Sequence, residues 1–134
     1  MRMATQLVLT VAGLSMSIDI ASAVEMKAAD ITQLISGKSA YLELAGTSAA
    51  GVGQGVIYYS ADGNSFYKTP KGVIWHGSWT LKGDTVCNDW KEAPGNACTI
   101  YDKQGDVITI INSATKQPRG KIIKIVDGNV ENIK

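Results

Sequence analysis

Cys87 and Cys98 are the residues whose type and spacing bear most directly on chemistry. Ten residues lie between them, whereas a redox-active pair is separated by two. A zinc site would need two further ligands, and the chain contains one histidine. In an oxidising compartment, two cysteines without a competing thiol form a disulfide. We therefore predict a structural disulfide between Cys87 and Cys98, with a metal site or a redox pair as the alternatives.

His76 is the candidate for acid–base chemistry, because it is the only histidine and an unperturbed imidazole titrates near neutral pH. A hydrolase with His76 as general base would also need a nucleophile and an orienting carboxylate. Ser78 has a suitable side chain, but two residues along a strand do not ensure contact. We predict a polar residue at position 76, either facing outward or hydrogen-bonded, and no enzyme. A small hydrolase using His76 is the alternative.

Three further segments contain residues typical of cofactor sites. Residues 37–39, Gly-Lys-Ser, match the end of a phosphate-binding loop, but the upstream glycine is missing and a predicted helix precedes them. Residues 51–55, GVGQG, have no following helix whose N-terminus would hold an anion. Residues 62–64, Asp-Gly-Asn, lack the other ligands of a calcium loop. The sequence therefore predicts turns and links here, and neither a cofactor nor a metal.

Aromatic residues are concentrated between positions 58 and 101. Large rings form the core of many small β domains, but tryptophan and tyrosine with a few polar groups between them also line ligand sites. The sequence does not separate these two roles. The candidate ligand-binding residues are Tyr58, Tyr59, Trp75, His76, Trp79 and Trp90.

Residues 1–23 have the pattern of an export signal. One cation, Arg2, precedes an apolar run from Leu7 to Met16, and the segment ends in Ala-Ser-Ala. The apolar run is about half of the ~20 residues that span a bilayer. We predict cleavage after Ala23 and a periplasmic or secreted protein of residues 24–134, with no stable membrane insertion.

The charge pattern limits the classes of partner. The net charge is +1, and removal of residues 1–23 leaves it unchanged because Arg2 and Asp19 leave together. Acidic and basic residues are interspersed, without the basic patch that nucleic acids or anionic membranes require. We therefore predict a small molecule or a protein as the partner, and no nucleic acid.

The pattern of apolar residues predicts one short helix and about eight strands. Ile31, Leu34 and Ile35 lie at helical spacing, and Gly37 is placed as a stop, which indicates a helix at about 28–36. Short segments rich in β-branched and aromatic residues then recur about every ten residues, with glycine-containing turns between them. The predicted strands are 39–46, 54–60, 64–69, 72–81, 84–90, 97–103, 106–111 and 120–127. This pattern favours a mainly β fold, an antiparallel meander that closes as a small barrel or a curled sheet.

Alternation along the fourth predicted strand separates two faces. The core face is predicted to contain Val73, Trp75, Gly77, Trp79 and Leu81. The other face is predicted to contain Ile74, His76, Ser78 and Thr80. Pro70 is expected to mark an edge or a break between the third and fourth predicted strands, because proline is excluded from the interiors of central strands.

Residues 58–68 (YYSADGNSFYK), residues 72–90 (GVIWHGSWTLKGDTVCNDW) and Cys98 together carry a family likeness. Over about Ile31 to Asp102 the chain resembles a group of small secreted proteobacterial proteins of unknown function, with an Asp-Gly turn, a Gly-x-Trp step and two cysteines around a tryptophan. The resemblance implies a periplasmic β domain with a leader and a short helix, and it implies no activity.

Gly77, Trp79 and Cys87 also look like the Gly-x-Trp strand and first cysteine of periplasmic inhibitors of secreted metalloproteases. Those inhibitors are eight-stranded barrels with one disulfide, and they insert a free mature N-terminus into the protease. Here a predicted helix follows the predicted cleavage site, and the cysteines are closer together. The likeness therefore bears on architecture alone.

These observations predict a non-catalytic periplasmic binding module for a small apolar or aromatic ligand or for a protein partner. An inhibitor of a secreted enzyme is the second hypothesis. Eight strands make a barrel just wide enough to be filled by its own side chains or to hold one small ligand.

Overall fold

The computed structural model describes residues 13, 23–46, 48–93 and 97–134. Apart from positions 13 and 23, the predicted export signal lies outside the described residues.

The described chain contains one α-helix and nine β-strands. The helix, α1, is Ala28–Ile35. The strands are β1 (Val24–Glu25), β2 (Lys38–Leu44), β3 (Gly53–Tyr59), β4 (Asn64–Lys68), β5 (Ile74–Lys82), β6 (Thr85–Trp90), β7 (Ala97–Gln104), β8 (Val107–Asn112) and β9 (Pro118–Asp127). The eight predicted strands correspond to β2–β9, and the helix ends one residue before its predicted end.

The sheet closes into an antiparallel barrel of eight strands. Each of β2 to β8 pairs with the next strand in sequence, and β9 pairs back onto β2. Closure removes the exposed edges that an open sheet would leave for pairing with other chains. The structure therefore confirms the mainly β fold. Of the two predicted forms, a small barrel and a curled sheet, it adopts the barrel.

Strand β1 is an addition that the sequence pattern did not predict. It pairs with Asp102 and Lys103 of β7. The pairing of β7 with β6 covers residues 97–100 and ends at Ile100. Met26 continues the contact between β1 and β7, since its main-chain N–H donates to the oxygen of Tyr101 over 2.8 Å. The short strand thus occupies a part of the β7 edge that β6 does not reach.

Helix α1 packs at one end of the barrel. Ile31 and Ile35 have no exposed surface and belong to the barrel core. The main-chain N–H of Ala28 donates to Oδ1 of Asp84, in the turn between β5 and β6, over 2.8 Å. This bond satisfies one of the free N–H groups of the first helical turn. The helix therefore lies at the end of the barrel where the β5–β6 turn is found.

The predicted core face of β5 is largely confirmed. Trp79 is buried, and Trp75 and Leu81 pack against the same core. Val73 is a correction, because it precedes β5 and is 52% exposed. The cause is the turn before the strand, in which Gly72 has a positive φ of 81° and its N–H donates to the oxygen of Thr69. The alternation begins after this turn, at Ile74.

Cys87 and Cys98 face each other directly in the β6–β7 register and form a disulfide. The structure thus confirms the predicted bond and leaves no free cysteine among the described residues. The bond ties together two neighbouring strands that both contribute to the cavity described next.

Candidate binding cavity

A cavity of about 190 Å³ lies inside the barrel at the end away from α1. It is bounded by the last residues of β2, the β2–β3 loop and the first residues of β7 and β9. Five aromatic rings form one part of its lining, which we call the aromatic wall: Tyr59, Tyr67, Trp75, Trp90 and Tyr101. Aliphatic side chains line much of the rest, and the polar lining residues are Ser48, Asn88, Thr99 and Arg119.

Three rings of the aromatic wall hold one another in place. The Tyr67 ring meets Trp75 edge-on at 5.6 Å between centroids and Trp90 at 5.5 Å. Gly55 provides the space for Tyr67, because a Cβ atom at position 55 would lie 2.8 Å from Cε2 of that ring. Such edge and offset contacts stabilise aromatic pairs beyond simple burial. The rings therefore present a fixed apolar surface to the cavity.

The inner polar groups of the cavity are neutral. The hydroxyl oxygens of Tyr59 and Tyr101 are 3.2 Å apart and share a hydrogen bond. Burial raises the pKa of both phenols, so both keep their protons at neutral pH. Oδ1 of Asn88 is buried with no hydrogen-bond partner among the described residues. A buried acceptor of this kind is costly to leave unpaired.

Arg119 is the one charged residue among those that line the cavity within the described part of the chain. Its Nη1 atom donates to Oγ1 of Thr99 over 3.3 Å. The side chain is half-buried, and the loss of water lowers the pKa of the guanidinium below its usual value. The group stays protonated at neutral pH, since an arginine in water has a pKa above about 12.

The six predicted ligand-binding residues do not form one site. Tyr59, Trp75 and Trp90 line the cavity. Trp79 lies in the core outside the lining, where its Nε1–H donates to the oxygen of Ser60 over 2.8 Å. The indole N–H of Trp79 is therefore already paired within the fold.

Tyr58 and His76 lie on the outer face of the barrel. They flank Phe66 across the register of β3, β4 and β5, and the rings of Tyr58 and Phe66 stack at 6.2 Å. Because neighbouring residues in a strand point to opposite faces, Tyr58 and Tyr59 cannot both face the interior. Tyr58 and His76 therefore do not line the cavity.

Sequence reasoning missed the polar residues of the cavity. Asn88 shares a strand face with Trp90, and Thr99 shares one with Tyr101, so alternation contains a signal for both. Arg119 lies just before the last predicted strand, 120–127, but β9 begins at Pro118. Its position in the barrel depends on a β-bulge near the start of β9, which no sequence pattern shows.

His76 is held by two hydrogen bonds. Its Nδ1 atom is 2.6 Å from Oε1 of Glu92, and its Nε2 atom is 2.9 Å from the main-chain oxygen of Lys134. Glu92 is therefore the orienting carboxylate that a general base would need. The second ring nitrogen, which would face a nucleophile in a hydrolase, contacts a main-chain oxygen instead.

The His76–Glu92 pair should make the protein's stability depend on pH. The hydrogen bond to Glu92 raises the pKa of His76, and the same bond lowers the pKa of Glu92. The pair stabilises the fold fully between about pH 4.3 and pH 6.5, which are the usual pKa values of a glutamate and a histidine side chain. It is lost as pH rises through the folded pKa of His76, or falls through that of Glu92.

An NMR titration of the imidazole protons checks this expectation. His76 should titrate above about pH 6.5 in the native protein and closer to that value in Glu92→Gln. Glu131→Gln is the matched control, because Glu131 accepts from Tyr41 and does not contact His76. An unchanged midpoint in Glu92→Gln would show that the pair does not form in solution.

The described residues contain no cluster of metal ligands and no long apolar helix. Within that part of the chain, no three side chains of the His, Cys, Asp and Glu types come together where they could hold a metal ion. No described helix is long and apolar enough to cross a membrane.

Comparison with known proteins yields no relatives. No family model, no curated protein and no solved structure matches the chain. The resemblance to small secreted proteobacterial proteins therefore remains a prediction, and any function has to be argued from the cavity itself.

Proposed function

We propose that the protein is a non-catalytic binding module that takes one small aromatic or apolar ligand inside its barrel. The observation that carries the proposal is the cavity of about 190 Å³ beside the aromatic wall. Protein interiors are close-packed, with few voids larger than one water molecule. A void several times the ~30 Å³ share of a water molecule is therefore space that the fold keeps unfilled.

The size and lining of the cavity favour a ligand of about one ring. An apolar cavity of about 150 Å³ is known to bind benzene, so this cavity has room for a ring with a small substituent. The polar groups are few, which is typical of ligand sites in which apolar contact gives affinity and polar contact fixes orientation. Tyr59, Trp75 and Trp90 are the predicted residues that would make this contact.

The proposal also includes export of the protein to the periplasm or the extracellular space. The disulfide fits a periplasmic or extracellular protein, and cleavage after Ala23 would begin the mature chain at Val24. The inhibitor hypothesis gains less support, because Val24 and Glu25 pair with β7. A segment held on the barrel in this way is not free to enter a protease.

Filling the cavity should abolish ligand binding. Ala93 lines the cavity from the β6–β7 loop, so the phenyl ring of Ala93→Phe would occupy the ligand's space. The disulfide-bonded protein is titrated with a panel of single-ring aromatic compounds, and Trp75 and Trp90 report binding through their fluorescence. We expect a saturable change in the native protein and none in Ala93→Phe.

Ala61→Phe is the matched control, because Ala61 is exposed in the β3–β4 turn at the α1 end. It should bind as the native protein does. Xenon gives a second, ligand-independent readout, since it enters apolar cavities and shifts the NMR signals of the methyl groups of Ile57 and Ile110. Failure of the whole panel to bind, or no effect of xenon on these methyls, would overturn the proposal.

A further inference from the structure

The position of Arg119 results from a β-bulge. Ile110 of β8 pairs with Gly120, and Ile111 pairs with Pro118, so Arg119 has no partner in the β8–β9 ladder. Gly120 completes the bulge with a φ of 153°, and a Cβ atom there would overlap the main-chain oxygen of Glu43. Bulges commonly redirect a side chain at the rim of a barrel. Here the bulge places the Arg119 side chain in the cavity lining.

The charge of Arg119 has no anionic partner in the described chain. Lys27, Lys38 and His76 each lie within 4.0 Å of a carboxylate oxygen, whereas no described carboxylate lies within that distance of Arg119. Its hydrogen-bond partner, Thr99, is neutral. A half-buried cation without a counter-ion is costly, so an anion bound in the cavity would be stabilised by an existing charge.

A second residue of the cavity lining has a buried acceptor that lacks a partner. Asn88 is 8% exposed, and its Oδ1 atom has no hydrogen-bond donor among the described residues. This atom can only accept a hydrogen bond. A ligand that satisfies both groups therefore carries an anion for Arg119 and a hydroxyl or similar donor for Asn88.

We infer that the ligand is a single-ring aromatic carboxylate with a hydroxyl group. Its carboxylate would accept hydrogen bonds from Arg119 and from the Thr99 hydroxyl, and its ring would pack on the aromatic wall. A guanidinium matches a carboxylate with two parallel N–H···O bonds. The inference rests on the proposed function, since it names the class of ligand that the cavity would take.

Six compounds test the inference by calorimetry on the disulfide-bonded protein: benzoate, toluene, benzamide and the three hydroxybenzoate isomers. Toluene reports apolar binding alone, benzamide is the neutral analogue of benzoate, and the three hydroxybenzoate isomers add a donor at different positions. We expect benzoate to bind about tenfold more tightly than benzamide, as one charge-assisted pair in a half-buried site provides. At least one hydroxybenzoate should bind more tightly than benzoate.

Variants assign these preferences to residues. Arg119→Gln should bind benzoate and benzamide equally while still binding toluene, which shows that the barrel and its cavity are intact. Lys121→Gln removes a charge from an exposed position on the same strand and should keep the native preference. Asn88→Ala should bind benzoate and the hydroxybenzoates equally.

The outcomes separate this inference from the proposed function. Binding of toluene without any preference for benzoate would leave the proposed function standing and overturn the inference. A preference that persists in Arg119→Gln, or inorganic phosphate binding as tightly as benzoate, would also overturn it. Binding of none of these compounds would contradict both.

Discussion

Gly77→Ala should lower the free energy of unfolding by about 3 kcal/mol, the upper part of the usual range for overpacking a closely packed site. Gly77 pairs with Trp90 across β5 and β6. A Cβ atom at position 77 would overlap the main-chain oxygen of Asp89 and lie 2.9 Å from Cε3 of the Trp90 ring. The strand itself would have to move, because a backbone atom cannot rotate away as a flexible side chain can. The same movement displaces a ring of the aromatic wall, so ligand affinity should fall together with stability.

Urea unfolding of the native and variant proteins measures this effect. Gly46→Ala is the matched control, since its Cβ atom would meet only Val52, at 4.0 Å, and such a surface change usually stays within about 0.5 kcal/mol. A Gly77→Ala protein as stable as Gly46→Ala would mean that β5 and β6 are not packed as closely as this structure shows. The result would also remove the physical reason for glycine in the Gly-x-Trp step.

The strands of the barrel could be predicted because their determinants are local. Alternating β-branched and aromatic residues specify a half-buried strand, and turn glycines such as Gly83 adopt the positive φ that tight hairpins need. Barrel closure depends instead on the pairing of β9, the last strand in sequence, with β2, the first strand of the barrel. The sequence of either strand contains no signal for that long-range partner. Strand β1, with two residues, is too short to show any alternation.

The cavity could be predicted only in part. Aromatic composition and alternation identified Tyr59, Trp75 and Trp90, but neither distinguishes a ring that fills the core from one that borders a void. Trp79 differs from Trp75 in the hydrogen bond that it makes to Ser60, which no local pattern encodes. Arg119 was missed because a one-residue bulge shifts the alternation of β9. The functional hypothesis therefore depends on the features that only the three-dimensional structure provides.

Removing the disulfide should cost about 3 kcal/mol of stability. The bond closes a short loop between positions 87 and 98, and restricting such a loop in the unfolded chain stabilises the fold by about that amount. The double variant Cys87→Ala/Cys98→Ala avoids the buried hydroxyl groups that serine would introduce. We expect its unfolding midpoint in urea to fall, and its affinity for aromatic ligands to fall with it, because β6 and β7 carry Asn88, Trp90 and Thr99 into the cavity.

A reducing agent provides the control for this variant. Dithiothreitol should destabilise the native protein to about the level of the double variant, and it should leave the double variant unchanged, since that protein has no cysteine to reduce. If the native protein unfolds at the same urea concentration with and without the reductant, the bond either does not form or does not stabilise the barrel. The disulfide would then no longer support export to an oxidising compartment, and that part of the proposed function would depend on the pattern of residues 1–23 alone.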